Sequence, residues 1–134
     1  MRTTGHEMAA AALVCLAALA APAAAQTLEE HLAHCNNRDG QFAPALVIRG
    51  CTAHIQTGML DDRNLATVLF NRGNAYFDQR DFARAIADYS EVIRLNPRFA
   101  NAYANRALAY EELGDHARAA ADQAMATRPA APGQ

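Results

Sequence analysis

Hydrophobic and polar positions repeat at a fixed interval in the second half of the chain. When residues 66–99 are aligned with residues 100–133, a shift of 34 residues, twelve of the aligned pairs are identical. Small, aromatic and charged residues recur together at helical spacing, and the alternating β-branched runs that are typical of strands do not appear in the sequence. Alanine is abundant beside Leu, Arg, Glu and Gln, which favours helix throughout. The pattern predicts an all-α protein built from a repeated pair of helices.

The identical residues fall on both predicted helices of the repeated unit. They include Asn71, Arg72, Ala75, Tyr76, Asp81, Ala83, Arg84, Ala85, Ala87 and Asp88, which return as Asn105, Arg106, Ala109, Tyr110, Asp115, Ala117, Arg118, Ala119, Ala121 and Asp122. A period of 34 residues with helical spacing is typical of a repeated helix–turn–helix unit. Asp81 and Asp115 precede the second helices and are expected to cap them. Pro97 is expected to end the first unit, since proline cannot continue a helix.

The two units resemble the tetratricopeptide repeat (TPR) family. In that family the first helix carries a large apolar, a small and an aromatic residue, the second carries alanine, an aromatic and another small residue, and a proline closes the unit. The first copy fills these positions with Leu69, Gly73, Tyr76, Ala85, Tyr89, Val92 and Pro97. The second copy fills them with Tyr103, Ala107, Tyr110, Ala119, Gln123 and Ala126, so that Gln123 replaces the aromatic residue. The resemblance implies a short right-handed solenoid of antiparallel helix hairpins.

The residues before the two repeats predict a degenerate N-terminal hairpin. A further shift of 34 places residues 51–56 on residues 85–90. Thr27 is expected to cap the first helix of this hairpin, and Pro44 is expected to lie in the first turn of its second helix. The predicted organisation is a signal peptide over 1–25, a degenerate hairpin over 26–60, two repeats over 61–128 (66–99 and 100–128), and a flexible tail over 129–134.

Residues 1–25 have the features of a secretory signal peptide. Arg2 gives a positive start, residues 9–21 form an apolar run, and small residues 23–25 precede Gln26. The alternative is an N-terminal membrane anchor, but a spanning helix needs about 20 apolar residues and this run is shorter. We expect a protein that is secreted across the inner membrane into the bacterial periplasm.

Charge argues against nucleic-acid binding, and the absence of catalytic motifs argues against an enzyme. The chain has 134 residues, a formal net charge of −2 and twelve basic residues, all arginine and spread along the chain. Nucleic-acid binding requires a concentrated excess of Lys and Arg, so nucleic acid is not an expected partner. The sequence also contains no HExxH, GxSxG or phosphate-binding glycine loop. We therefore predict that the protein is not an enzyme and needs no cofactor.

Cys35 and Cys51 are the two cysteines that follow the predicted signal peptide. In an oxidising compartment an even number of cysteines indicates a disulfide, which here would join the two helices of the N-terminal hairpin. The alternative is a zinc site, because His31 and His54 lie at helical spacing from the two cysteines and could complete a four-ligand shell. The prediction is a disulfide and no metal.

The TPR resemblance implies a partner-binding groove on the inner face of the first helices. The implied groove residues are Thr67, Phe70, Asn71, Asn74, Phe77 and Asp78 in the first copy, and Asn101, Ala104, Asn105, Leu108, Glu111 and Glu112 in the second. Some relatives bind a C-terminal carboxylate through lysines, an arginine and two asparagines. Asn74 and Asn105 fall at the asparagine positions, whereas Phe70 occupies a lysine position. The alternative for Phe70 and Phe77 is burial against the N-terminal hairpin.

These features predict a non-catalytic interaction module or scaffold that binds a protein or peptide partner in the groove. One alternative is a self-assembling structural protein, in which the alanine-rich last hairpin docks on another copy as a homo-oligomer. Another alternative is a periplasmic metal-binding protein that uses the cysteines and histidines of the first hairpin. The expected protein has no integral membrane association.

Overall fold

The computed structural model describes residues 27–37 and 39–128, which form six α-helices. They are α1 (Leu28–Asn36), α2 (Pro44–Gln56), α3 (Asp62–Asp78), α4 (Phe82–Leu95), α5 (Ala100–Glu112) and α6 (His116–Ala126). No strand occurs in these residues, and the predicted all-α class is confirmed. The predicted signal peptide (1–25) and tail (129–134) lie outside the described residues.

The helices form three antiparallel hairpins that stack in chain order. α1 packs on α2, α3 on α4 and α5 on α6, while α2 packs on α3 and α4 packs on α5. The first helices also meet across hairpins, since α1 contacts α3 and α3 contacts α5, whereas α2, α4 and α6 do not contact one another. The stack is therefore a short solenoid whose inner side is formed by α1, α3 and α5.

Short polar side chains cap the helices as the sequence predicts. Thr27 forms a capping box at the start of α1: its hydroxyl accepts from the Glu30 amide, and the Glu30 carboxylate accepts from the Thr27 amide. Asp81 and Asp115 accept from backbone amides in the first turns of α4 and α6, and Pro44 lies in the first turn of α2. These caps satisfy amide groups that have no partner within the helix.

Most of the residues that define the repeats are buried, whereas Pro97, after the end of α4, is exposed. In both copies the buried set comprises Leu69, Gly73, Tyr76, Ala85, Tyr89 and Val92, then Tyr103, Ala107, Tyr110 and Ala119. A Cβ atom on Gly73 would lie 2.7 Å from the Tyr89 ring, so the absence of a side chain there lets α3 and α4 approach closely. Ala107 fits at the same point of the next hairpin because Gln123 replaces the aromatic ring and is exposed.

An ion pair between a partly buried arginine and a buried aspartate recurs in both repeats. The Arg72 guanidinium donates two hydrogen bonds of 2.8 Å to the Asp88 carboxylate, and Arg106 donates bonds of 2.7 and 2.8 Å to Asp122. These charge-assisted bonds raise the pKa of each arginine, so both guanidinium groups stay charged. Each pair therefore ties the two helices of its own hairpin together.

Each arginine also reaches back to the preceding hairpin. Arg106 donates to the Ser90 hydroxyl on α4 at 2.9 Å, and Arg72 donates to the Thr52 hydroxyl on α2 at 3.2 Å. Ser90 precedes Arg106 by 16 residues, but Thr52 precedes Arg72 by 20. Thr52 is therefore the structural counterpart of Ser90, and the two are 38 residues apart. The shift of 34 that aligned the first hairpin with the repeats is wrong by four residues, which is about one helical turn.

The connection inside the first hairpin differs from the other two. Seven residues (37–43) join α1 to α2, whereas three residues (79–81) join α3 to α4. The Asn37 side chain holds the longer connection, because its amide oxygen accepts from the Phe42 amide at 2.9 Å. The longer connection brings Cys35, in the last turn of α1, next to Cys51 in the middle of α2, with their Cα atoms 4.6 Å apart.

Arg80 is expected to destabilise its turn. It has a φ of 62°, in the left-handed region that favours glycine, and Gly114 occupies the same position in the next hairpin with a φ of 77°. We expect Arg80→Gly to raise the free energy of unfolding by about 1 kcal/mol, measured by urea denaturation. The lost ion pair between Arg80 and Glu112 is exposed and contributes little.

The matched control is Gly114→Ala, for which we expect a decrease of similar size. A loss of stability in Arg80→Gly would show that the contact of Arg80 with the Phe82 ring, 5.3 Å from its centre, outweighs the backbone strain.

Candidate functional site

Two adjacent depressions lie on the inner side of the solenoid. The first lies between α3 and α5, and the second lies between the first hairpin and α3. Asn74 and Asp78, which lie one turn apart on α3, line both depressions. The two depressions therefore form a continuous surface across all three hairpins, which we call the inner groove.

The first depression has a volume of about 190 Å³ and is lined by Asn74, Phe77, Asp78, Tyr89, Asn105 and Leu108. The Asn74 amide oxygen accepts two hydrogen bonds of 2.8 Å, one from the Tyr89 hydroxyl and one from the Asn105 amide nitrogen. These bonds join α3, α4 and α5 at the floor of the depression. The polar groups of the floor are thus held in place before any partner binds.

The Tyr89 hydroxyl stays protonated in this setting. Burial raises the pKa of Tyr89 well above its usual value, and the negative charges of Asp78 and Asp88 raise it further, while a hydrogen bond with Asn105 acts in the opposite direction. A protonated hydroxyl is required for the bond that Tyr89 donates to Asn74. The buried tyrosine is therefore a fixed hydrogen-bond donor in the floor.

The second depression is wider and has a volume of about 310 Å³. The first hairpin contributes Cys35, Asn36, Asn37, Gly40, Phe42, Pro44 and Val47 to it, and α3 contributes Asn71, Asn74, Ala75 and Asp78. Phe42 is held by the ring of His34, whose centre lies 4.6 Å away in an edge-on arrangement. Asn37, Gly40 and Phe42 of the connection between α1 and α2 thus contribute to one wall of the inner groove.

Six of the residues implied by the resemblance line the depressions. They are Asn71, Asn74, Phe77, Asp78, Asn105 and Leu108. Thr67, Asn101, Ala104, Glu111 and Glu112 line neither depression. The carboxylate of Glu111 contacts the His116 ring, and that of Glu112 pairs with Arg80, so these two acids lie at the hairpin turn and not in the groove.

Phe70 and Phe77 have different environments. Phe70 is half-buried and packs on Phe99 and Tyr89, with ring centres 5.0 and 5.9 Å away, so it fills the space between α3, α4 and the start of α5. Phe77 is also half-buried and contacts Phe82 at 5.2 Å, but it lines the first depression. Phe70 thus acts mainly in packing, and Phe77 offers an aromatic surface to the groove.

Cys35 and Cys51 are joined in a disulfide in this structure. With the two sulfur atoms bonded to each other, neither is a thiolate that could bind a metal. In the described part of the chain, no group of three or more His, Cys, Asp and Glu side chains is arranged to hold a metal ion. The disulfide is nearly fully buried and borders the second depression.

Sequence reasoning did not predict two contributions to the groove. Tyr89 was identified only as a packing residue of the repeat, although its hydroxyl reaches the floor of the first depression. The wall from the first hairpin was also missed, because that hairpin is not in register with the repeats. In the sequence, the aromatic residue Phe42 between Gly40 and Pro44 could have indicated that the connection between the first two helices is ordered.

None of the helices in the described residues combines the length and apolar character that a membrane crossing requires.

Part of this region is similar to a known repeat family. Residues 73–114 match the TPR repeat family model. The chain is 43% identical over 53 residues to the Hsp70-Hsp90 organizing protein of Triticum aestivum, 42% over 53 residues to Hsp70-Hsp90 organizing protein 1 of Glycine max, and 38% over 53 residues to Hsp70-Hsp90 organizing protein 3 of Arabidopsis thaliana. Each similarity covers 40% of this chain but only 9 or 10% of the relative.

Proposed function

We propose that this chain, whose residues 73–114 match the TPR repeat, is a non-catalytic interaction module that binds a peptide segment of a protein partner in the inner groove. The observation that carries the proposal is the continuous surface in which Asn74 and Asp78 join the two depressions. Apolar side chains and fixed amide groups alternate along this surface, which suits recognition of a peptide by shape and by hydrogen bonds. The related organizing proteins are named for the chaperones Hsp70 and Hsp90, and this supports a protein as the partner.

We also propose that the protein acts outside the cytoplasm, in the bacterial periplasm. Two features support this location: the signal-like sequence of residues 1–25, and the disulfide between Cys35 and Cys51. Disulfides persist in oxidising compartments and are rare in the cytosol. The proposed compartment and the proposed binding are independent of each other.

The outer face of the last hairpin favours an adaptor over a self-assembling protein. On α4, Ile86 packs against a buried cluster of the following repeat, and Ile93 packs against a cluster that includes Ala102 of that repeat. The corresponding residues of the last hairpin are Ala120 on α6 and Thr127 at the C-terminal end of that helix, and both are exposed. Alanine and threonine offer little apolar area to a second copy of the chain, which argues against self-association through this face.

Leu108 provides the direct test of the groove. Its side chain is 55% exposed and lines the first depression, so a bound peptide would bury it. We expect Leu108→Ser to weaken the binding of peptides selected from a random display library by about tenfold, which corresponds to partial loss of one buried leucine. The measurement is fluorescence anisotropy with synthetic copies of the selected peptides.

Leu113 is the matched control, because it is 56% exposed but lies at the hairpin turn beside Arg80 and Phe82. Leu113→Ser is expected to bind the selected peptides as the unmodified protein does. Equal effects of the two substitutions would contradict binding in the inner groove.

A further inference from the structure

Asp78 is the one charged side chain that lines either depression among the described residues. It is exposed, and in the described part of the chain its carboxylate forms no ion pair. Asp78 is also the last residue of α3, where the negative end of the helix dipole already disfavours a carboxylate. Among the described residues, no cation pairs with this negative charge at the point where the two depressions meet.

The neighbouring acids do not share this property. Glu112 is paired with Arg80 and Glu111 contacts His116, both at the hairpin turn. The negative potential of Asp78 reaches the floor of the first depression, where it contributes to the raised pKa of Tyr89 after the larger effect of burial. The groove is consequently negative at its centre.

The walls beside Asp78 are apolar. Phe77 precedes it on α3, and Leu108 faces it from α5 across a depression of about 190 Å³. A space of this size admits one long side chain. Arginine and lysine carry a cation on an apolar stem, and such side chains bury the stem along apolar surface while the charge reaches a polar group.

We propose that the first depression binds an arginine or lysine side chain of the partner peptide, with its stem between Phe77 and Leu108 and its cation at the Asp78 carboxylate. This inference rests on the proposed function and adds the chemistry of the ligand. An acidic peptide or a C-terminal carboxylate would meet repulsion from Asp78 and would find no basic side chain in the described lining. Phe70 lies at the position where some relatives have lysine, and it packs on Phe99 and Tyr89. Because phenylalanine is uncharged, it does not offset the negative charge of Asp78.

The test begins with a random dodecapeptide display library selected on the whole protein. Arginine and lysine are expected to be enriched over aspartate and glutamate in the selected peptides. A representative peptide is then synthesised with its conserved cation and with norleucine in that place, which keeps the stem and removes the charge. We expect the norleucine peptide to bind the unmodified protein about tenfold more weakly, as measured by anisotropy at physiological salt.

Asp78→Asn should remove this preference, so that the two peptides bind it within about twofold of each other. The matched control is Asp62→Asn, since Asp62 is an exposed aspartate on the same helix that lines neither depression, and it should keep the tenfold preference. Thermal unfolding of each variant checks that it is folded.

The outcomes separate the two proposals. Binding that depends on Leu108 but not on Asp78, or selection of acidic peptides, would overturn the cationic pocket and leave the groove intact. Binding that is insensitive to both residues, or no enrichment of any peptide, would overturn both proposals.

Discussion

Asp88→Ala is expected to lower the free energy of unfolding by about 3 kcal/mol, because it leaves the partly buried Arg72 guanidinium without its counter-ion. The two side chains are 19% and 8% exposed, and the carboxylate accepts both of the hydrogen bonds that Arg72 donates within its own hairpin. The remaining bond from Arg72 to Thr52 is not sufficient to satisfy the charge. Urea denaturation of the whole protein measures the loss.

A double variant separates the buried charge from the lost contact. Arg72→Met with Asp88→Leu replaces the ion pair with apolar side chains and is expected to recover most of the stability, since such replacements are often neutral. Asp122→Ala breaks the same pair in the last hairpin, where the side chains of Arg106 and Asp122 are 18% and 8% exposed, and should cost a similar amount. If Asp88→Ala cost under about 1 kcal/mol, or if the double variant were no more stable than Asp88→Ala, the ion pair would not tie the hairpin as described.

Loss of the disulfide is expected to destabilise the first hairpin by about 3 kcal/mol, the usual entropic contribution of a short closed loop. The two cysteines are separated by 16 residues, and α1 contacts only α2 and α3. Reduction should therefore speed the exchange of backbone amides in α1 and α2 by on the order of a hundredfold. Hydrogen exchange detected by mass spectrometry resolves this change helix by helix.

The amides of α5 and α6 serve as an internal control, because these helices lie at the other end of the stack and should keep their exchange rates. The variant Cys35→Ala with Cys51→Ala should exchange like the reduced protein and should not respond to reductant. Unchanged exchange in α1 and α2 after complete reduction would show that packing alone holds the first hairpin.

The repeated hairpins were predictable because several independent signals agree on them. The identical residues at a shift of 34, the small residues at Gly73 and Ala107, and the caps at Asp81 and Asp115 all indicate the same helix boundaries. Agreement between local propensity, capping and packing is what allows a sequence to specify one structure. These parts of the fold could be inferred without coordinates.

The register of the first hairpin could not be predicted from the same alignment. Its relation to the repeats depends on the seven-residue connection and on the length of α3, which has 17 residues where α5 has 13. Because α3 has this additional turn, Thr52 lies 20 residues before Arg72, whereas Ser90 lies 16 residues before Arg106. Loop length and helix length are set by tertiary contacts, such as the bond from the Phe42 amide to the Asn37 side chain. No short sequence pattern records such contacts.

The inner groove was predictable in outline but not in composition. The positions of Asn74, Phe77 and Leu108 follow from the helical period once the inner face is known. The hydrogen bonds that Tyr89 and Asn105 donate to Asn74 do not follow, because they join three helices whose relative placement the sequence does not state. The paired state of Glu112 was likewise invisible, since Arg80 lies 32 residues away.

The bonds around Asn74 have a consequence for affinity. A floor that is already hydrogen-bonded loses little conformational entropy when a peptide binds, so more of the interaction energy is available for affinity. The apolar walls and Asp78 are left to select the ligand. The groove thus combines a rigid polar floor with one charged side chain that is open to a partner.

The most direct test of the proposed groove is an NMR titration of the whole ¹⁵N-labelled protein with a peptide selected from the display library. The side-chain amide signals of Asn74 and Asn105 and the backbone signals of Asp78 and Leu108 report on the floor and walls of the first depression. The account predicts that the largest shift changes occur at these four residues. Changes confined to the outer helices α4 and α6 would contradict it.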